Sequence, residues 1–136
     1  MERLFQNHTF EVTHLRGCTV DALVGMVDPA DMHPYIVLLK PSEQPWQMLF
    51  LDIGAGFWEE WTDEEAAEQL ADEDETFVDY AAQFGLHGAE IGEIFCQPMA
   101  EDAQSAISIQ FASGTLRLAP SDPQEIGCDT EISFSS

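Results

Sequence analysis

Residues 59–79, EEWTDEEAAEQLADEDETFVD, carry eleven carboxylates and no Lys or Arg. Such a row does electrostatic work: it attracts basic side chains, or a protein surface built to grip phosphates. On a continuous helix at about 100° per residue, Glu64, Glu68, Asp72, Glu75 and Asp79 form one stripe at i, i+3 and i+4 spacings. Ala67, Leu70, Ala71, Phe77, Val78 and Ala81 fall on a different arc, so the helix is amphipathic. Trp58 and Trp61 stand just before it, three apart, so both need not face the core. An aromatic beside a charged patch is the composition of a binding hot spot. These seven residues are the candidate partner-binding set: five acids to attract a basic partner, and Trp58 or Trp61 as an apolar anchor.

Other chemistry finds no constellation. His8, His14, His33 and His87 are scattered, with no HExxH and no pair at i, i+4, which argues against a metal site. Glu59 and Glu60 are close enough to split their pKa values for acid/base work, but adjacent acids at a helix start are capping residues. Gly54-Ala55-Gly56 follows a strand as a phosphate loop would, yet lacks the third glycine and the lysine. The acids at 72–75 lack the mid-loop glycine of a calcium loop. Cys18, Cys96 and Cys128 are odd in number and contain no CxxC, so they read as buried free thiols in a reducing compartment. The expectation is a protein with no catalytic residue, no metal and no cofactor.

Composition narrows the partners. The net charge of −22 arises from 26 acids against Arg3, Arg16, Lys40 and Arg117, with no basic residue between Lys40 and Arg117. That balance excludes direct binding to nucleic acid or an anionic membrane, both of which need cations. No apolar run approaches the 18 residues of a membrane span, and the start MERLFQNHTF has no basic n-region. A soluble cytoplasmic protein is expected. With 136 residues, 45% of them hydrophobic, the chain is read as one domain, residues 1–136.

The elements that must hold the acidic segment follow from periodicity. Phe10 and Val12 alternate with polar neighbours as a first strand. Residues 18–27 place Cys18, Val20, Ala22, Val24 and Met26 on one strand face, or form a short helix capped by Thr19. YIVLLK and WQMLFLDI are apolar throughout and separated by the turn-rich PSEQP, which predicts two central strands joined as a hairpin. Gly54 and Gly56 are expected to bend the chain into the acidic segment. Thr62 and Glu65 form a capping box. Because Asp74 falls on the apolar arc, 62–84 is either one helix or two, the second capped by Thr76 and ended by Gly85. A short strand is drawn at 91–96. Ile107, Ile109 and Phe111 turn through Ser113-Gly114 into Leu116 and Leu118, read as facing Phe111 and Ile109 respectively, and Ile126, Cys128, Ile132 and Phe134 add a strand. The predicted class is α+β, a mostly antiparallel sheet with an acidic helix or helix pair packed on one face.

In size, charge, α+β pattern and acidic helical region the chain resembles the small acidic immunity proteins that bacteria pair with polymorphic or contact-dependent toxins, many of them nucleases. The resemblance implies a non-catalytic inhibitor that neutralises a basic protein by setting carboxylates where nucleic-acid phosphates would lie. The i, i+4 spacing of about 6 Å is comparable to the separation of successive phosphates. No family motif carries individual residues over. Other classes compatible with the composition are a halophile-adapted housekeeping domain, a small acidic secretion chaperone and an enzyme of unrecognised type.

Overall fold

The computed structural model describes residues 1–122, 124–125 and 128–136. Its chain forms two antiparallel sheets, with two short helices. The strands are β1 (Glu2–Asn7), β2 (Phe10–Glu11), β3 (Val20–Val27), β4 (Pro34–Pro41), β5 (Trp46–Asp52), β6 (Ala55–Trp61), β7 (Thr76–Asp79), β8 (Ile94–Pro98), β9 (Ser105–Phe111), β10 (Gly114–Pro120) and β11 (Thr130–Ser135). Helix α1 (Asp63–Leu70) lies between β6 and β7, and α2 (Tyr80–Phe84) follows β7. The first sheet has the order β1-β6-β5-β4-β3-β7 and the second β11-β10-β9-β8-β2. The edge strands are therefore β1 and β7 in one sheet, β11 and β2 in the other.

The core lies between the sheets. Leu23, Val27, Val37, Leu39, Leu49 and Trp58 meet Ile94, Cys96, Ile107, Ile109, Leu116 and Leu118 there, all buried. At Gly56 the sheets approach so closely that a Cβ would stand 2.5 Å from the Cys96 sulfur. Burial raises the Cys96 thiol to about 11, so at neutral pH it is a packing group. Gly25 of β3 leaves the space that the Tyr80 ring fills. On the far face of the first sheet Met26, Leu38, Met48 and Phe57 are also buried. Strands covered on both faces have little need for polar alternation, which is why β4 and β5 read as continuous apolar runs.

The α+β expectation is corrected by this architecture. The helices have eight and five residues, and the only buried residue of α1 is Ala66. The acidic segment is divided among the end of β6, α1 and β7. Residues 55–61, read as a bend leading to a helix, are β6, and the bend is a two-residue turn at Ile53-Gly54 with both φ positive. Thr76 begins β7, which pairs with β3, and Asp79 is the residue that caps α2. Pairing with β3 supplies β7 with backbone partners that periodicity cannot register.

Several expectations hold. β4 and β5 are antiparallel neighbours, with Val37 opposite Leu49 and Leu38 opposite Met48. Thr62 and Glu65 form the capping box, and Gly85 ends α2 at φ 67°. β9 and β10 form a hairpin, but the turn is Ala112-Ser113, so Leu116 faces Ile109 and Leu118 faces Ile107. This shift of two residues keeps every side chain on its expected face. Ile132 and Phe134 lie in β11, Cys128 precedes it, and Ile126 is outside the described residues. In β3 a bulge between Val20 and Ala22 puts Val20, Leu23 and Val27 in the core, in place of the face through Ala22, Val24 and Met26. The sequence reading contained no strand at β1. Among the described residues no helix is long and apolar enough to cross a membrane.

Candidate functional site

Trp58 and Trp61 lie on β6, where a separation of three sends side chains to opposite faces. Trp58 is fully buried, and its Nε1 donates to Gln47 Oε1 at 2.6 Å. Gln47, buried beside it, donates from Nε2 to the Pro45 carbonyl at 3.0 Å and to Glu60 Oε2 at 3.4 Å. Trp58 is thus a core residue, and the anchor role assigned to it is corrected. Trp61 is half-buried on the outer face and donates from Nε1 to Glu59 Oε1 at 3.2 Å.

Around Trp61 the surface forms two adjoining grooves. The larger, about 690 Å³, is bounded by Glu2, Lys40, Glu43, Glu60 and Asp63 along with Trp61. The smaller, about 370 Å³, is bounded by Trp61, Glu65, Glu68, Gln69 and Asp72. Seven carboxylates thus flank one indole, and among the described residues Lys40 is the only Lys or Arg lining either groove. Its ammonium donates to the Pro41 carbonyl at 3.0 Å.

Not all of this acid is free. Glu59, 1% exposed, accepts from Arg3 Nε and Nη2 at 2.9 and 2.7 Å, and the Arg3 guanidinium stacks over the Phe57 ring. Glu60 faces His14 Nε2 at 3.2 Å. Glu65 accepts from the terminal amine of Met1 at 2.6 Å and from the Thr62 backbone at 3.0 Å. The amine first, then the cap, pulls the Glu65 carboxyl below its ordinary pKa. These contacts make Glu59, Glu60 and Glu65 structural acids.

The five-carboxylate stripe does not survive as a helix face. Glu64 and Glu68 lie on α1, with Asp72 two residues past its end. Asp72 Oδ1 accepts from the Asp74 backbone at 2.9 Å, an Asx turn that starts the acidic loop. Glu75 accepts from the Tyr35 hydroxyl. Burial, followed by Glu75, pushes that hydroxyl up to about 12. Asp79 caps α2 through Oδ1, accepting from Ala82 at 3.0 Å, and its Oδ2 lies 3.8 Å from His87 Nε2. Trp61, Glu68 and Asp72 are brought together; Trp58 is drawn into the core, and Glu75 and Asp79 bond to Tyr35 and to the α2 N-terminus and line neither groove. Glu2, Glu43 and Asp63 are members of the surface that sequence reasoning missed. The first two come from β1 and the β4–β5 turn, with no local signal to join them to Trp61.

No protein-family model, curated protein or solved structure matches the chain.

Proposed function

We propose that the protein is a non-catalytic acidic binding protein that neutralises a basic protein partner through the surface around Trp61. The observation that carries this reading is a half-buried indole between two grooves flanked by Glu2, Glu43, Asp63, Glu68 and Asp72, a composition suited to a cationic face with one apolar contact. A cationic active site that grips nucleic-acid phosphates has the complementary chemistry, and toxin immunity is the form of the function we favour. The acids bring the partner in by long-range attraction. Trp61, once covered, slows its departure.

The test begins with the full chain immobilised at low salt and used to retain basic proteins from its source cells, followed by kinetics with the purified partner. The double variant Glu68→Lys/Asp72→Lys is expected to cut the association rate by about tenfold or more while leaving circular dichroism unchanged. Trp61→Ala should act mainly on dissociation. Equal association of the parent and the reversed variant at low salt, or retention of no basic protein, overturns the reading.

A further inference from the structure

We propose that Asp31, His33 and Asp129 form a site for a divalent transition-metal ion of the zinc class, at the end of β4 opposite the Trp61 grooves. Residues 28–33 join β3 to β4, and their backbone is fixed locally: Asp28 N–H donates to the His33 carbonyl at 3.0 Å and His33 N–H to Asp31 Oδ1 at 2.9 Å. The other oxygen, Asp31 Oδ2, lies 3.7 Å from His33 Nδ1. Asp129 comes from the other sheet, just ahead of β11, with Oδ2 3.4 Å from the same nitrogen. All three ligand atoms lie within 4.8 Å of one another. An ion bonded at about 2.1 Å keeps tetrahedral ligands roughly 3.4 Å apart. Two edges of the coordination polyhedron are therefore close to their bonded length.

A second observation points to a ligand. The His33 Nδ1 atom is shielded from solvent although its side chain is 36% exposed, and it makes no hydrogen bond among the described residues, the two aspartates standing at 3.4 and 3.7 Å; the hydroxyl of Tyr80, a residue 2% exposed, has no partner there either. Both side chains line one cleft of about 400 Å³ between β11 and the β4 end, together with Gln83 and Glu131. Orphaned polar atoms are rare in native interiors because each forfeits its hydration without return. An ion on Nδ1 satisfies the first, and the cleft reaches the cluster at His33. The donor set selects the ion: imidazole with carboxylates suits Zn²⁺, Co²⁺ or Ni²⁺, whereas Mg²⁺ and Ca²⁺ prefer oxygen alone. The rival arrangement, a protonated His33 between two aspartates, uses the same residues and binds no metal.

Metal-stripped full-length protein titrated with Co²⁺, and then with competing Zn²⁺, tests the site through the visible Co²⁺ spectrum and calorimetry. One Co²⁺ per chain is expected, displaced by Zn²⁺ but not by excess Mg²⁺ or Ca²⁺. Loss even of a group behind a ligand costs about 10–100-fold, so His33→Gln and Asp129→Asn should each weaken binding by at least tenfold. His87→Gln should bind as the parent does. Equal affinity in the parent and both ligand variants, displacement by Ca²⁺, or no saturable binding overturns the proposal, the last being the result for a protonated His33. Should His33→Gln fail to fold by circular dichroism, Asp129→Asn, a change at an exposed carboxylate, carries the comparison alone.

Discussion

The two ends of β4 handle polar groups in opposite ways. At the Lys40 end the acids are many and the buried polar groups are paired: Glu59 has Arg3 and Trp61, and the Gln47 amide has Trp58, Pro45 and Glu60. At the Pro34 end charged groups are fewer, yet the His33 Nδ1 atom and the Tyr80 hydroxyl are shielded from solvent and make no hydrogen bond among the described residues. Roughly 25 Å of strand separates the two ends, at about 3.3 Å per residue. The contrast shows that a count of carboxylates measures the field around a site, whereas an unsatisfied buried atom marks a place where a specific ligand is needed.

The largest effect tests whether the acid at the Lys40 end is built into the fold. Arg3→Ala leaves Glu59 buried without its cation and should cost about 3 kcal/mol, near the low end for a broken buried pair because Arg3 itself is half-exposed. Urea denaturation measures it. A loss below about 1 kcal/mol would mean that Glu59 behaves as a surface acid, and the contrast between the ends would fail.

A smaller effect of opposite sign is expected at the other end. Tyr80→Phe removes an unpartnered hydroxyl and should leave stability unchanged or raise it by about 1 kcal/mol. Its pH signature sharpens the point. Burial lifts the Tyr80 hydroxyl from 10.0 to about 12, so between those values the unfolded chain has released a proton that the native one retains. The stabilising contribution is complete below pH 10 and is lost as pH rises through about 12. Thermal melts across that window should show the loss in the parent, and a shallower one in Tyr80→Phe. A destabilised Tyr80→Phe protein with an unchanged alkaline slope would mean that the hydroxyl has a partner.

The smallest effect is that of salt. Raising ionic strength from about 0.01 M to about 0.15 M shortens the screening length from roughly 30 Å to 8 Å, relieving repulsion among the exposed acids around Trp61. The melting temperature should rise by a few degrees. An unchanged value would show that these carboxylates are less coupled than their spacing implies.

Legibility in the sequence followed the range of the interactions. β4, β5, β9, β10 and the Thr62–Glu65 box were readable because their signals are contained within a few residues. β6 was not, since Glu59-Glu60 looks like a helix start until Arg3 arrives from β1, 56 residues away. β7 misled for a related reason: the acids around it favour a solvated helix, and only pairing with β3 makes it a strand. The sequence left open which of Trp58 and Trp61 faces outward; three apart on a strand, they are separated by the sheet, and Trp61 is the outer one. Asp31 and His33 were visible as loop residues, but nothing local joins them to Asp129.

The edge strands give the charge a further role. Among the described residues, β1, β7, β11 and β2 each present a side of backbone N–H and C=O groups that no strand of the same sheet pairs with, a template for a second chain. β11, six residues long and alternating half-buried with exposed side chains, is among the longest of these edges. At neutral pH two copies meet with −22 on each, which opposes edge-to-edge addition. Near pH 4.1 that repulsion disappears while the edges remain. Acidification therefore turns the two-sheet fold from a self-repelling particle into one with adhesive rims, and its precipitate should be rich in intermolecular β-structure.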